Sequence, residues 1–176
     1  MIKKEITFSD IVTQLPKVIT DLPKIATALY YNFTVKSNTE ITFADLFQKT
    51  ATKFPNNICI YYLDKKWTYK AFDLWTNRLA NQFSSLGIRK GDVVAVLLEN
   101  RPEVLAVAMA MAKIGGIVAL INPAQKNKTL IHSLKLASPK LFLVGTELIQ
   151  NYIDIKDELE LSKKQIFCYS KRVNQI

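Results

Sequence analysis

From Thr42 onward, short apolar runs alternate with stretches whose apolar residues recur every three or four positions, so strands and helices are predicted in alternation. Thr42 to Phe54, carrying Phe43, Leu46, Phe47 and Thr50, reads as a helix that Pro55-Asn56-Asn57 breaks. Ile58-Cys59-Ile60-Tyr61-Tyr62 reads as a strand, Asp64-Lys65-Lys66 as a turn, and Trp67-Thr68-Tyr69 as a second strand running into a helix. On that helix Phe72, Trp75, Leu79, Phe83 and Leu86 share a face, and Gly87 stands where a left-handed cap is wanted. Val93 to Leu98 is apolar throughout, the pattern of a strand buried on both faces of a parallel sheet. Asn100 as cap, Pro102 in the first turn and Glu103 three residues after the cap open the next helix, which Gly115-Gly116 closes. Ile117 to Ile121 is the next expected buried strand, ended by Asn122-Pro123. Lys128 to Ala137 is predicted helical, Leu141 to Val144 a strand, Glu147 to Leu159 a helix and Ile166 to Tyr169 a last strand. Helix and strand alternating over short connections predict an α/β fold: a mostly parallel sheet with flanking helices and one small hairpin.

Residues 1–36 read differently. Phe8, Ile11, Val12, Leu15, Val18, Ile19, Leu22, Ile25, Ala26 and Leu29 recur at helical steps, and Leu15-Pro16-Lys17 returns as Leu22-Pro23-Lys24. Each proline removes a backbone donor, so two or three short or kinked helices are expected. Two readings stand for this arm: packing on its own domain, or laying the stripe of residues 8–33, which ends in Tyr30, Tyr31 and Phe33, on a membrane surface or a second subunit. The expected domains are the arm at 1–36 and the α/β unit at 37–176.

Composition adds limits. The chain has 176 residues, 49% apolar and 22% charged, which suits one buried core and an appendage and excludes disorder or a collagen-like repeat. The net charge of +9 is spread evenly over the three thirds of the chain, so no basic tail marks a nucleic-acid binder. Cys59 and Cys168 lie far apart without a CxxC, which signals neither a disulfide framework nor a zinc site and points to a reducing, cytoplasmic setting. Acidic residues Glu5, Asp10 and Asp21 follow Lys3 and Lys4 where a secretory signal would need an unbroken apolar run. Apolar runs also fall short of the eighteen residues that span a bilayer.

Catalytic chemistry is thin. With five glycines, Gly87, Gly91, Gly115, Gly116 and Gly145, neither GxGxxG nor GxxxxGK[ST] can be written. His132 projects with Lys128 and Lys135 away from an apolar face of Leu130, Ile131, Leu134 and Ala137, the position of a solvated surface residue. Asp64, Asp73, Asp92 and Glu99 suit turns, caps and strand ends better than a paired acid and base. Lys113, Lys126, Lys128, Lys135 and Lys140 occupy a window free of acids; they suit either phosphate contacts or, the reading taken here, a solvated face.

Several segments taken in order resemble a known family. They are Trp67-Thr68-Tyr69-Lys70-Ala71-Phe72, Asn77-Arg78-Leu79-Ala80, Leu86-Gly87-Ile88-Arg89-Lys90-Gly91-Asp92-Val93-Val94-Ala95, Glu99-Asn100-Arg101-Pro102-Glu103 and Ala112-Lys113-Ile114-Gly115-Gly116-Ile117-Val118-Ala119-Leu120-Ile121-Asn122. Together they resemble the N-terminal part of adenylate-forming (AMP-dependent) synthetases, and most of all the long-chain to very-long-chain acyl-CoA synthetases of the fatty-acid transport protein type. Residues 40–148 carry the resemblance well and 8–33 loosely. Ala71 departs from it: the family usually has Glu there, which would complete a capping box with Thr68, so a start weaker by about 1 kcal/mol is expected for that helix.

The resemblance implies, for full-length members, that a fatty acid carboxylate attacks the ATP α-phosphorus to give an acyl-adenylate, from which coenzyme A displaces AMP. ATP, Mg2+ and CoA are the implied cofactors and a fatty acid the implied substrate. The implied machinery comprises a Ser/Thr/Gly-rich phosphate loop, a Tyr-Gly-x-Thr-Glu segment, a ribose-binding Asp and a lysine in a mobile C-terminal domain. None has a counterpart among these 176 residues, so no catalytic, cofactor-binding or metal-ligating residue is assigned and no cofactor is expected to bind this chain. The expectation is a ligase fragment inactive alone, with a half-built sheet that a partner covers or that a truncated gene left open. A non-catalytic peripheral membrane or subunit-docking module is the alternative.

Overall fold

The structure, a computed structural model, describes residues 21–30, 32–33 and 41–159, and the backbone of 166–169. The chain divides into two units, Met1–Ile41 and Thr42–Ile176. In the first, residues 21–30 and 32–33 are helical. An ion pair of 2.7 Å joins Lys24 to Asp21 within one turn, and the Thr27 hydroxyl donates to the Pro23 carbonyl at 2.7 Å. Leu22, Ile25 and Leu29 follow the expected three- and four-residue steps and are exposed. The first Leu-Pro-Lys repeat, at 15–17, lies outside the described residues.

The second unit opens with helix α1 (Phe43–Lys53), whose capping box is complete: the Thr42 N–H donates to Asp45 Oδ2 at 2.8 Å and the Asp45 N–H to Thr42 Oγ1 at 3.2 Å. The helix buries Ala44 and Ala51 and leaves Phe43 and Leu46, two of the expected face residues, exposed. Strands β1 (Ile58–Tyr62) and β2 (Lys65–Thr68) form an antiparallel hairpin. Its turn is Leu63-Asp64, one residue earlier than expected, because Tyr62 pairs with Lys65 and Leu63 takes φ 54°. Cys59 is the extra residue of a β-bulge, its Sγ 3.3 Å from the Trp67 carbonyl oxygen.

Helix α2 (Tyr69–Ser85) ends at Gly87, whose φ of 85° suits glycine. Strand β3 (Val93–Leu97), helix α3 (Pro102–Lys113), strand β4 (Ile117–Leu120), helix α4 (Asn127–Ala137), strand β5 (Leu141–Gly145) and, after irregular helical turns, strand β6 (Ile166–Tyr169) complete the unit. The four strands form a parallel sheet in the order β4-β3-β5-β6. Alternation along β3 sends Val94 and Val96 to one face, where they meet Phe83, Val107 and Met111 of α2 and α3, and Ala95 and Leu97 to the other, where they meet Leu130 and Leu134 of α4 and Phe142. Outside α2 and α3, the hairpin and α1 form a further layer around Phe72, Ala106 and Met109, with Trp67 stacked on Trp75 at 6.1 Å.

Three expectations need correction. Asn100 does not cap α3. A residue before proline is pushed toward extended backbone, so Pro102 makes Arg101 the cap residue (φ −152°, ψ 164°), Glu103 falls one position short of a capping box, and no side chain caps the helix. Among the described residues strand β4 lies at the edge of the sheet, with Ile117 and Leu120 more than half exposed at 53% and 58%; an unbroken apolar run does not say where in a sheet a strand lies. The expected helix at 147–159 is broken into a 3-10 turn (Thr146–Leu148), a short helix α5 (Ile149–Ile153) and a second 3-10 turn (Lys156–Glu158). Asn151, Asp154 and Asp157 are poor helix formers, and Ile149, Tyr152 and Ile155, three residues apart, all pack beside Phe142.

Candidate functional site

In an open parallel sheet, ligands sit outside the carboxyl ends of strands whose following connections diverge to opposite faces. Here the chain leaves β3 for the face covered by α3, and leaves β4 and β5 for the face covered by α4 and α5. The carboxyl end of β3 is therefore flanked by crevices on both sides.

Between β3 and β5 the crevice is filled by the chain's own charges. The Arg101 side chain is 3% exposed; its Nη2 lies 3.1 Å from Glu147 Oε1 and its Nε 3.8 Å from Glu103 Oε2. The Glu99 N–H also points at Glu147 Oε1, at 3.4 Å. One guanidinium thus lies between two carboxylates at this crevice. On the other side, between β3 and β4, lies an apolar hollow of about 280 Å3 lined by Val96, Leu98, Val104, Leu120, Ile121 and Pro123, with the Asn100 and Asn122 amides at its rim.

A larger groove, about 820 Å3, lies elsewhere, among α1, α2 and the C-terminal end of α3. Its lining residues Lys90 and Gly115 lead into β3 and β4, so it borders the amino edge of the sheet. Lys113 there is committed internally, its Nζ 2.6 Å from both Asp73 Oδ1 and Asn77 Oδ1. Size alone does not make this groove a reaction site.

The residues singled out in the sequence fall into separate places. His132 is exposed on α4, as are Lys126, Lys128 and Lys135 nearby. Lys113 pairs with Asp73, and Lys140 pairs with Asp92 at 2.6 Å while donating to the Gly87 carbonyl at 2.9 Å, so two of the five lysines are structural ties and not a free basic face. The Lys140 ammonium and the Arg89 N–H hold the Asp92 carboxyl below its ordinary range, and the Thr42 N–H does the same for Asp45. Burial pushes the Cys59 thiol up. Sequence reasoning missed the Arg101–Glu103–Glu147 cluster, because Glu147 joins it from a distant strand end; the one local signal was an arginine wedged between a strand end and Pro102.

Residues 47–175 match the model of the AMP-binding enzyme family. The chain belongs to that family. It is 27% identical over 140 residues to the medium/long-chain-fatty-acid–CoA ligase FadD6 of Mycobacterium tuberculosis, covering 80% of this chain and 24% of the relative. It is 31% identical over 120 residues to long-chain fatty acid transport protein 1 of Rattus norvegicus, covering 67% and 19%. Its fold matches a structure assigned as a long-chain-fatty-acid CoA ligase of Rhodopseudomonas palustris, with a TM-score of 0.70 and 23% identity over 77% of this chain and 34% of that one. The architecture is thus the N-terminal part of the adenylate-forming fold, and the chain spans about a quarter of the length of the first of these relatives.

Family membership implies ATP, with its magnesium, and CoA; the described residues do not fit the triphosphate. Gly87, Gly91 and Gly115 use their positive φ to turn the chain at the amino edge of the sheet. Gly145, at the carboxyl edge, faces the Glu147 carboxylate closely enough that a Cβ there would collide with it. Among the described residues no three of His, Cys, Asp or Glu gather as a metal site.

Proposed function

We propose that this chain supplies the N-terminal scaffold of a long-chain fatty acid–CoA ligase and carries out no ligation unaided. The observation that carries the reading is a family match over most of the chain whose carboxyl-edge crevice is occupied by Arg101, Glu103 and Glu147 instead of a phosphate-binding loop. In this reading ATP, Mg2+, CoA and the fatty acid are gripped by the parts of the fold that the relatives have and this sequence lacks. Positioned charges around the transferring phosphoryl group supply most of the catalysis in adenylate formation, so their loss removes the reaction. ATP–pyrophosphate exchange with a long-chain fatty acid tests it: no exchange above background is expected from the purified chain, and sustained exchange would overturn the claim.

A second reading, compatible with the first, assigns the arm a docking role in a cytoplasmic protein that attaches peripherally to membranes. Its support is the exposed stripe Leu22, Ile25 and Leu29 on a helix, together with the net charge of +9. No helix among the described residues is long and apolar enough to cross a membrane. Flotation with anionic liposomes should recover the whole chain and lose a version without residues 1–36; equal recovery of the two removes the arm from the argument.

A further inference from the structure

The hairpin of β1 and β2 is rooted by Ile60 and Trp67, which lie opposite one another and pack into the layer around Phe72. The next pair along, Tyr61 and Lys66, faces the other way, as strand alternation requires. There Tyr61 is 68% exposed, and Lys66 Nζ lies 5.2 Å from the centre of its ring. Lys65 is exposed beside the turn, and Leu63, in the turn itself, is 86% exposed with φ 54°. A positive φ in a two-residue hairpin turn is the place of Gly, Asn or Asp, and a leucine there is strained. Neither backbone conformation nor core packing accounts for Leu63. The tip also belongs to a basic stretch: from Leu46 to Phe72 the charged residues are Lys49, Lys53, Lys65, Lys66 and Lys70 against the single acid Asp64.

We propose that this hairpin tip is a contact for an anionic lipid bilayer, in which Leu63 enters the acyl boundary, the Tyr61 ring lies at headgroup depth and the Lys65 and Lys66 ammonium groups meet lipid phosphates. An apolar side chain flanked by a phenol and two long cationic stems is the combination that partitions across such an interface, apolar bodies inward and charged heads in water. The positive charge of the tip and of the whole chain, +9, complements acidic headgroups. A two-residue turn with its flanking side chains is too small for a specific protein partner, which needs about 800 Å2 from each side. So small a contact binds weakly by itself and adds to the peripheral attachment proposed above for the arm. It lies wholly within the unit Thr42–Ile176, so each contact can fail without the other.

The test uses the whole chain with vesicles of phosphatidylcholine, alone or with phosphatidylserine added. Partition measured by sedimentation should favour the phosphatidylserine vesicles. Leu63→Asn, which suits the positive φ, should weaken that partition about tenfold while the melting midpoint holds or rises, so a binding loss cannot be laid to unfolding. Lys65→Glu together with Lys66→Glu should weaken it at least about tenfold, by a margin that shrinks as salt screens the charges. Amide hydrogen exchange of the vesicle-bound chain gives the local readout: the Leu63 and Asp64 amides should slow. Unchanged exchange at Leu63 and Asp64, variants that partition like the unaltered chain, or equal binding to both kinds of vesicle would overturn the proposal. Slowing confined to residues 21–30 leaves the arm reading standing and sinks this one, whereas slowing confined to the tip does the reverse.

Discussion

The Arg101 guanidinium lies at 3% side-chain exposure beside Glu147 and Glu103, and such an arrangement is stable only while its partners remain. Glu147→Met should therefore lower unfolding free energy by about 3 kcal/mol, and the triple change Arg101→Met, Glu103→Met and Glu147→Met should recover most of it, because apolar side chains then replace the cluster without leaving one of its charges buried. Urea denaturation of the two variants beside the unaltered chain checks this; a single-variant loss as small as that of a surface pair would mean water reaches the site. Asp92 and Asp45 act through pH. Both carboxyls titrate below their ordinary value in the fold, so their contribution is full above the ordinary carboxylate range and is lost as pH falls through the lowered values. Replacing both with Asn should flatten the acid side of the urea-midpoint profile without changing its slope near neutrality; an unchanged acid limb would show that other carboxylates govern it. These ties were illegible in the sequence because each joins distant residues: Lys113 meets Asp73 and Lys140 meets Asp92 only once the sheet and its helices have brought them together. The isolated surface position of His132, by contrast, followed from helical spacing alone.

At the scale of elements, α1 and α2 make a natural comparison. Thr42 and Asp45 close both halves of a capping box, whereas Thr68 accepts the Ala71 N–H at 3.1 Å and receives nothing back, since Ala71 has no side chain to return the bond. Ala71 is exposed, so Ala71→Glu has room to complete the box and should stabilise the chain by about 0.5–1 kcal/mol, read as a raised melting midpoint; no change would show that water already satisfies the Thr68 N–H. The helices at 43–53, 69–85 and 127–137 and the run of strands were legible because period and punctuation agreed there. Where a second force intervened the reading slipped: Pro102 moved the α3 cap by one residue, hairpin pairing moved the turn to Leu63-Asp64, and packing against Phe142 broke the expected helix after β5. The edge position of β4 could not be read at all, because strand order is set by crossovers and not by the composition of the strand.

For the whole molecule, the amino-acid sequence carried the family and the α/β architecture, through several motifs in order and the alternation of elements. It did not carry the filling of the carboxyl edge by Arg101, Glu103 and Glu147, which depends on topology. A carboxyl-edge crevice occupied by Arg101, Glu103 and Glu147 suits the scaffold reading, and the liposome experiment above probes the arm. The central claim is that these 176 residues cannot grip a triphosphate. Titrating Mg-ATP into the purified chain by calorimetry, at nucleotide concentrations up to the millimolar range, tests it most directly. No saturable heat is expected, and a saturating isotherm that disappears when Glu147 and Arg101 are replaced would contradict it.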